Sequence, residues 1–230
     1  MLKRPEPIVS EPLTRIQHNL LARSERRLLN YLCAAMPAWV TPDKLTAFGV
    51  IGALIIFAGY ALSGFGPAYL SIAIVGYAVQ WFGDSMDGSL ARFRKIERPS
   101  FGYFIDHSCD GLVTLLILAG IGLSPYVRLD IALLALAGYL LLSVHAFLSA
   151  KVIGELKLSY LNAGPTELRV ALILMTLAMM AFGTMENVTG PLSAFDLVVG
   201  SVGLTLIILF VIQTLVTARR LSALEPTPRR

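Results

Sequence analysis

Six apolar stretches, each near the roughly 20 residues that carry a helix across a bilayer, dominate this chain. They cover about 42–63, 67–92, 100–123, 130–152, 166–183 and 194–217. In hydrocarbon, backbone N–H and C=O groups must find partners inside the chain, so apolar runs of this length fold as helices. Composition agrees: 56% of residues are hydrophobic and 15% charged, where a soluble domain carries about 25% charge. The expected fold class is all-α, a polytopic membrane protein of six transmembrane helices. The six helices would form one domain over 42–217, between an N-terminal segment 1–41 and a tail 218–230. The first forty residues are polar and basic, without a short apolar core and cleavage site, so no cleavable signal peptide is expected.

Local signals mark two span starts. Thr41-Pro42 reads as an N-cap followed by proline at the first helical position. Ser193 with Asp196 reads as a capping box. Residues 1–11 hold two prolines and are expected to be loose. Over 12–37, Leu13, Ile16, Leu20, Leu28, Leu32 and Met36 form one stripe, flanked by Arg15, Arg23, Arg26 and Arg27. A basic helix with one apolar stripe is expected to lie on the membrane surface against lipid headgroups.

The formal net charge of +4 reports topology and anionic lipid rather than nucleic acid. With six spans both termini share one side. Of 19 Lys and Arg, all but Arg128 fall on that side or at span ends facing it. Positive residues stay cytoplasmic, so the termini and the 93–99 connection are expected there, and the expected setting is a bacterial inner membrane. Cys33 and Cys109 suggest no disulfide framework, and no Cys/His cluster has zinc spacing.

The informative stretch is acidic. Asp84 and Asp87 are three apart and share a helix face, as do Asp106 and Asp110 at a spacing of four. The short 93–99 connection makes the two helices antiparallel neighbours, so both pairs meet at one membrane face. Four bare carboxylates would repel one another, and Arg92 supplies one positive charge against them. Divalent cations resolve the imbalance, and all-oxygen ligands suit Mg²⁺, Mn²⁺ or Ca²⁺. Two such ions can clamp a pyrophosphate for in-line displacement at phosphorus. Gly88 lies one turn from both Asp84 and Arg92, where its missing side chain lets a base or phosphate approach and Arg92 can fork onto it. Gly102, one turn before Asp106, serves either the same clearance or helix packing.

The pattern Asp84-x2-Asp87-Gly88-x2-Ala91-Arg92-x9-Gly102-x3-Asp106-x3-Asp110 resembles the signature of the CDP-alcohol phosphotransferase family at every fixed position. The resemblance implies that Asp84, Asp87 and Asp106 ligate two ions, Mg²⁺ or Mn²⁺, with Asp110 as ligand or base. It implies that Gly88, Ala91 and Arg92 border the donor's cytidine diphosphate, and that Thr46 borders the nucleotide. It further implies a CDP-linked donor, either CDP-diacylglycerol or a CDP-aminoalcohol, an alcohol acceptor, CMP as leaving group, and a homodimer. His107 and Gly164-Pro165-Thr166-Glu167 resemble the aminoalcohol branch, whereas 230 residues is short for it.

Several residues outside the signature remain open. Lys151, Lys157 and Arg169 could hold an acceptor phosphate or serve as positive-inside anchors, with Arg169 weighted towards substrate binding. His145 either serves the pocket or bridges helices, and Gln80 and Gln213 read as interhelical hydrogen-bonders. His107 is a candidate general base beside Asp110, since an imidazole titrates near pH ~6.5 while metal binding weakens a carboxylate as a base. Two rival classes are a Mg²⁺-dependent membrane prenyltransferase and a divalent-metal transporter. The first places its acidic motifs far apart in sequence, and the second spreads acids along a path rather than at one face.

Overall fold

A computed structural model describes residues 14–16, 22–153, 155–157, 165–185 and 192–224. Seven helices make up its body: α1 (Ala22–Ala35), α2 (Pro42–Leu62), α3 (Leu70–Phe93), α4 (Pro99–Leu123), α5 (Leu129–Ile153), α6 (Pro165–Phe182) and α7 (Ala194–Leu224). Two 3₁₀ turns, Ser63–Phe65 and Pro67–Tyr69, link α2 to α3. A three-residue parallel pair, β1 (Thr14–Ile16) with β2 (Glu155–Lys157), ties the N-terminal segment to the α5–α6 connection.

Five helical segments are long and apolar enough to cross a membrane: Pro42–Phe65, Pro99–Leu123, Leu129–Ile153, Pro165–Phe182 and Ala194–Leu224. The chain is therefore an integral membrane protein. The remaining expected span, α3, has 24 residues but is not among the five. The ten residues Gly83 to Arg92 carry two aspartates, an arginine and two serines, which lowers its hydropathy.

The N-terminal helix is shorter than the 12–37 period suggests. Thr14–Ile16 are extended, in keeping with the strand preference of β-branched Thr14 and Ile16, and α1 begins at Ala22. Expected helical positions 17–21, and Gly164 of the Gly-Pro-Thr-Glu run, lie outside the described residues. At the other end α7 continues past 217 to Leu224. Arg219 and Arg220 end an apolar run, but arginine and the leucines and alanines around it are good helix formers.

Both expected caps form. The Thr41 side chain accepts from the Lys44 backbone N–H at 3.3 Å. Ser193 Oγ accepts from the Asp196 N–H at 3.0 Å, while Asp196 Oδ2 accepts from the Ser193 N–H at 2.9 Å. Asp196 Oδ1 also accepts from the Arg128 N–H at 2.8 Å, and the Ser193 hydroxyl donates to the Tyr126 carbonyl at 3.0 Å. One buried carboxylate thus fastens the α4–α5 turn to the start of α7.

What positions the site is the contact between α2 and α3. Helices in lipid gain little from hydrophobic burial and associate where small residues let backbones touch. A Cβ placed on Gly52 would lie 2.4 Å from Gln80 N, on Gly59 2.4 Å from Ala73 N, and on Gly83 2.3 Å from Gly49 N. These glycines recur along both helices and bring their main chains together. Further into the bundle, Tyr60, Tyr77 and Thr176 join α2, α3 and α6 through buried hydroxyls at 3.2 Å (Tyr60 to Tyr77) and 2.6 Å (Tyr60 to Thr176). His145 bridges helices, with Nδ1 3.4 Å from Thr214 Oγ1 on α7 and Nε2 3.2 Å from Ser149 Oγ on its own helix.

Candidate active site

The end of α3 and the first half of α4 carry the acidic residues, and the five-residue turn between them is closed by local bonds. Lys95 adopts a left-handed conformation at φ 57, and the Ile96 N–H reaches back to the Ala91 carbonyl at 3.0 Å. Pro99 then starts α4 at a position where its missing N–H costs nothing. Arg94 braces this end: its guanidinium donates to the carbonyls of Val40 at 2.6 Å and of Met36 and Pro37 at 2.9 Å, locking α3 to the α1–α2 turn.

A cleft between α2, α3 and α4 is lined by Thr46, Gly49, Val50, Gln80, Asp84, Asp87, Asp106, Cys109 and Val113. Three of the four signature aspartates therefore line one cleft, two from α3 and one from α4, and Asp110 stands one turn beyond Asp106. The Thr46 hydroxyl donates to Asp87 Oδ2 at 2.6 Å, across the α2–α3 contact. On α4, Asp106, His107 and Asp110 each place a potential ligand atom within 4.8 Å of the others. The donor set is carboxylate-rich and hard, which fits Mg²⁺ or Mn²⁺ better than a thiophilic ion.

Asp84 already has a cationic partner. The Arg169 guanidinium, from the first turns of α6, pairs with Asp84 Oδ2, and its Nε–H donates to Gln80 Oε1 at 2.7 Å. Both side chains of the ion pair are largely enclosed, with 13% of Arg169 and 26% of Asp84 exposed. Half-buried charges need opposite charge close by, and here a protein cation meets part of that need. Sequence spacing placed Arg169 near the site but did not predict this partner, and Gln80 bonds between helices as expected.

His107 is almost wholly enclosed, with 8% of its side chain exposed. Its ring packs edge-on to Tyr103 at 4.5 Å between centroids and tilts against Phe147 of α5 at 5.0 Å. Nδ1 lies 3.5 Å from Asp110 Oδ2 and 3.9 Å from Asp106 Oδ2, so one ring edge faces the acidic pair. Its Nε2 is buried without a hydrogen-bond partner among the described residues.

The signature glycines and Arg92 occupy the rim. Arg92 is exposed and folds back along its helix: its Nη2–H donates to Ser89 Oγ at 3.4 Å, and a Cβ on Gly88 would come within 3.3 Å of Nη1. The atoms nearest a Cβ on Gly88 thus belong to the Arg92 side chain. Ala91 is half-buried in the same turn. Gly102 is exposed, and among the described residues nothing lies within 4 Å of a Cβ placed on it. Sequence reasoning missed Glu25 on α1. Its carboxylate accepts from Trp81 Nε1–H at 2.9 Å and from the Thr166 hydroxyl at 3.1 Å, beside Asp84 and Arg169.

A family model described as CDP-alcohol phosphatidyltransferase matches residues 39–214. The chain is 32% identical over 147 residues to an archaetidylinositol phosphate synthase of Pyrococcus horikoshii, a stretch covering 62% of this chain and 65% of that protein. It is 24% identical over 130 residues to cholinephosphotransferase 1 of Danio rerio, covering 50% of this chain and 34% of the relative. Over 115 residues it is 27% identical to a ceramide phosphoethanolamine synthase of Drosophila melanogaster, covering 47% of this chain and 29% of that relative. The chain thus spans just under two thirds of the first of these relatives and about a third of the other two.

Proposed function

The chain belongs to the CDP-alcohol phosphatidyltransferase family, and we propose on that premise that it transfers a phospho-alcohol group from a CDP-linked donor to an alcohol acceptor, releasing CMP. The observation that carries this reading is the shared cleft of Asp84, Asp87 and Asp106, with Thr46 bonded to Asp87 and Asp110 one turn away. Asp84, Asp87, Asp106 and Asp110 would hold two divalent ions, Mg²⁺ or Mn²⁺. When bound, these ions neutralise the donor pyrophosphate and make its phosphorus more electrophilic.

The chain's own residues do the rest. Thr46 fixes the Asp87 carboxylate, and Arg169 with Gln80 fixes Asp84. Gly88, Ala91 and Gly102 leave space for the cytidine diphosphate, and Arg92 swings from Ser89 to a phosphate oxygen. The acceptor oxygen forms a bond to phosphorus as the bond to the CMP oxygen breaks. The acceptor's hydroxyl proton passes to His107 or Asp110, whose facing atoms lie 3.5 Å apart. The enclosed His107 ring is held in place for this by Tyr103 and Phe147.

In the membrane, α3 is the sixth span, its polar end reaching the headgroup region where the cleft opens. α1 lies along the surface with its basic residues towards lipid, and both termini and the site face the cytoplasm. The chain works as a homodimer in a bacterial inner membrane. Two donor classes suit the site. His107 beside Asp106, and the Thr166-Glu167 pair at the start of α6, favour a CDP-aminoalcohol, in line with the names of two relatives. The archaeal relative's name favours a phosphorylated inositol acceptor instead.

The test is CMP release by the purified full chain from CDP-choline or CDP-diacylglycerol, with and without Mg²⁺ or Mn²⁺. Asp84→Asn removes charge and a ligand together, so turnover should fall to background. A folded, inserted Asp84→Asn protein with near-parental CMP release at saturating metal would refute the reading.

A further inference from the structure

Glu25 stands on α1, outside the stretch 39–214 that matches the family model. Its carboxylate is met by donors from two other helices. From α3, Trp81 Nε1–H lies 2.9 Å and the Ser85 hydroxyl 3.5 Å from Oε1. From α6, the Thr166 hydroxyl lies 3.1 Å from Oε1 and 3.2 Å from Oε2. Each donor lies close in sequence to a residue of the cleft or to Arg169, which pairs with one. Trp81 follows Gln80, Ser85 follows Asp84, and Thr166 precedes Arg169 by three residues, about one turn. A carboxylate at Thr166 also suits the positive end of α6, whose first turn has unbonded N–H groups.

Arg169 makes a two-pronged contact, one nitrogen to Gln80 and another to Asp84. Such a fork tolerates little drift between α6 and α3. We propose that Glu25 is a positioning residue: by bonding α3 and α6 together, it sets their separation and holds Arg169 on Asp84 and Gln80. This rests on the reading that Asp84 belongs to the working site. It gives α1 a task beyond lying on the membrane, because the surface helix supplies the bolt that keeps the Arg169 fork in register. A glutamate that only docks α1 to the bundle would affect stability and nothing at the fork.

The experiment compares the full-length protein with Glu25→Ala, Glu25→Gln, Arg169→Lys and the Glu25→Ala/Arg169→Lys double variant. Two readouts are taken: kcat/KM for CMP release, and amide hydrogen exchange over 169–173 of α6. Loss of an outer residue that orients a site ligand typically costs about 10- to 100-fold, so Glu25→Ala should fall within that range. Glu25→Gln should stay close to the parent, because its amide oxygen still accepts from Trp81 and Thr166. The double variant should be no worse than Arg169→Lys, since residues acting through one network do not add. Exchange over 169–173 should rise in Glu25→Ala and not in Glu25→Gln. Losses that multiply in the double variant would overturn the proposal, as would parental kcat/KM and exchange in Glu25→Ala. A parent protein releasing no CMP would refute the functional reading instead, and the exchange arm would then decide the role of Glu25 alone.

Discussion

Replacing Gly83 by alanine drives a methyl group into the backbone of α2. The new Cβ would sit 2.3 Å from Gly49 N and 2.6 Å from both Gly49 Cα and the Leu45 carbonyl oxygen. All three are main-chain atoms, so no side chain can rotate away. Ordinary contact begins near 3.4 Å, so the two helices must part locally by about 1 Å, because packed interiors hold no slack to absorb it. The Thr46 to Asp87 hydrogen bond crosses this contact at 2.6 Å, and a further ~1 Å takes it beyond hydrogen-bonding range. Overpacking of this kind costs about 1–3 kcal/mol of stability. Displacing a catalytic group by about 1 Å can cost roughly 10²-fold in rate. Gly83→Ala should therefore insert and fold, melt at a lower temperature, and release CMP about 10²-fold more slowly. Gly64→Ala is the control, with nothing within 4 Å of its added Cβ, and should match the parent in both assays. A Gly83→Ala protein with parental melting and parental turnover would refute the claim that this glycine contact sets the geometry of the cleft.

Two further substitutions probe separate parts of the site. Gly88→Leu should fold, since the atoms nearest its Cβ belong to the exposed Arg92 side chain, which can move, yet lose affinity for CMP; equilibrium binding as tight as the parent's would remove Gly88 from the nucleotide site. His107→Ala and His107→Gln should lower kcat by about 10²–10⁴-fold with KM for the donor unchanged, as expected for a lost general base; an unchanged kcat from pH ~6 to ~9 would leave proton removal to Asp110.

The site was legible in the sequence because its logic is local. Asp84 and Asp87, and Asp106 and Asp110, each sit at helical spacing, and a short turn makes their helices neighbours. The caps at Thr41 and Ser193 were legible for the same reason, since each is complete within four residues. Contacts between distant segments were not. Gly49, Gly52 and Gly59 announce a small-residue face on α2, but not that Gly76 and Gly83 of α3 meet it. Nothing in its own neighbourhood marks Glu25, whose partners lie 56 to 141 residues away. Arg169 was a candidate by position, whereas its pairing with Asp84 needs the packing of α6 on α3. The N-terminal stripe misled over 14–16, because a helical period in a basic segment does not outweigh the strand partner β2 offers to Thr14–Ile16.

The central claim is that the four aspartates hold divalent ions where a CDP-linked donor binds. Mn²⁺ binding to the purified full chain, followed by its electron paramagnetic resonance signal with and without CMP, tests it most directly. Two ions per chain should bind saturably, more tightly with CMP, and at least one should be lost in Asp84→Asn and in Asp106→Asn. Parental Mn²⁺ binding in both variants, or no saturable binding in the parent with CMP present, would contradict it.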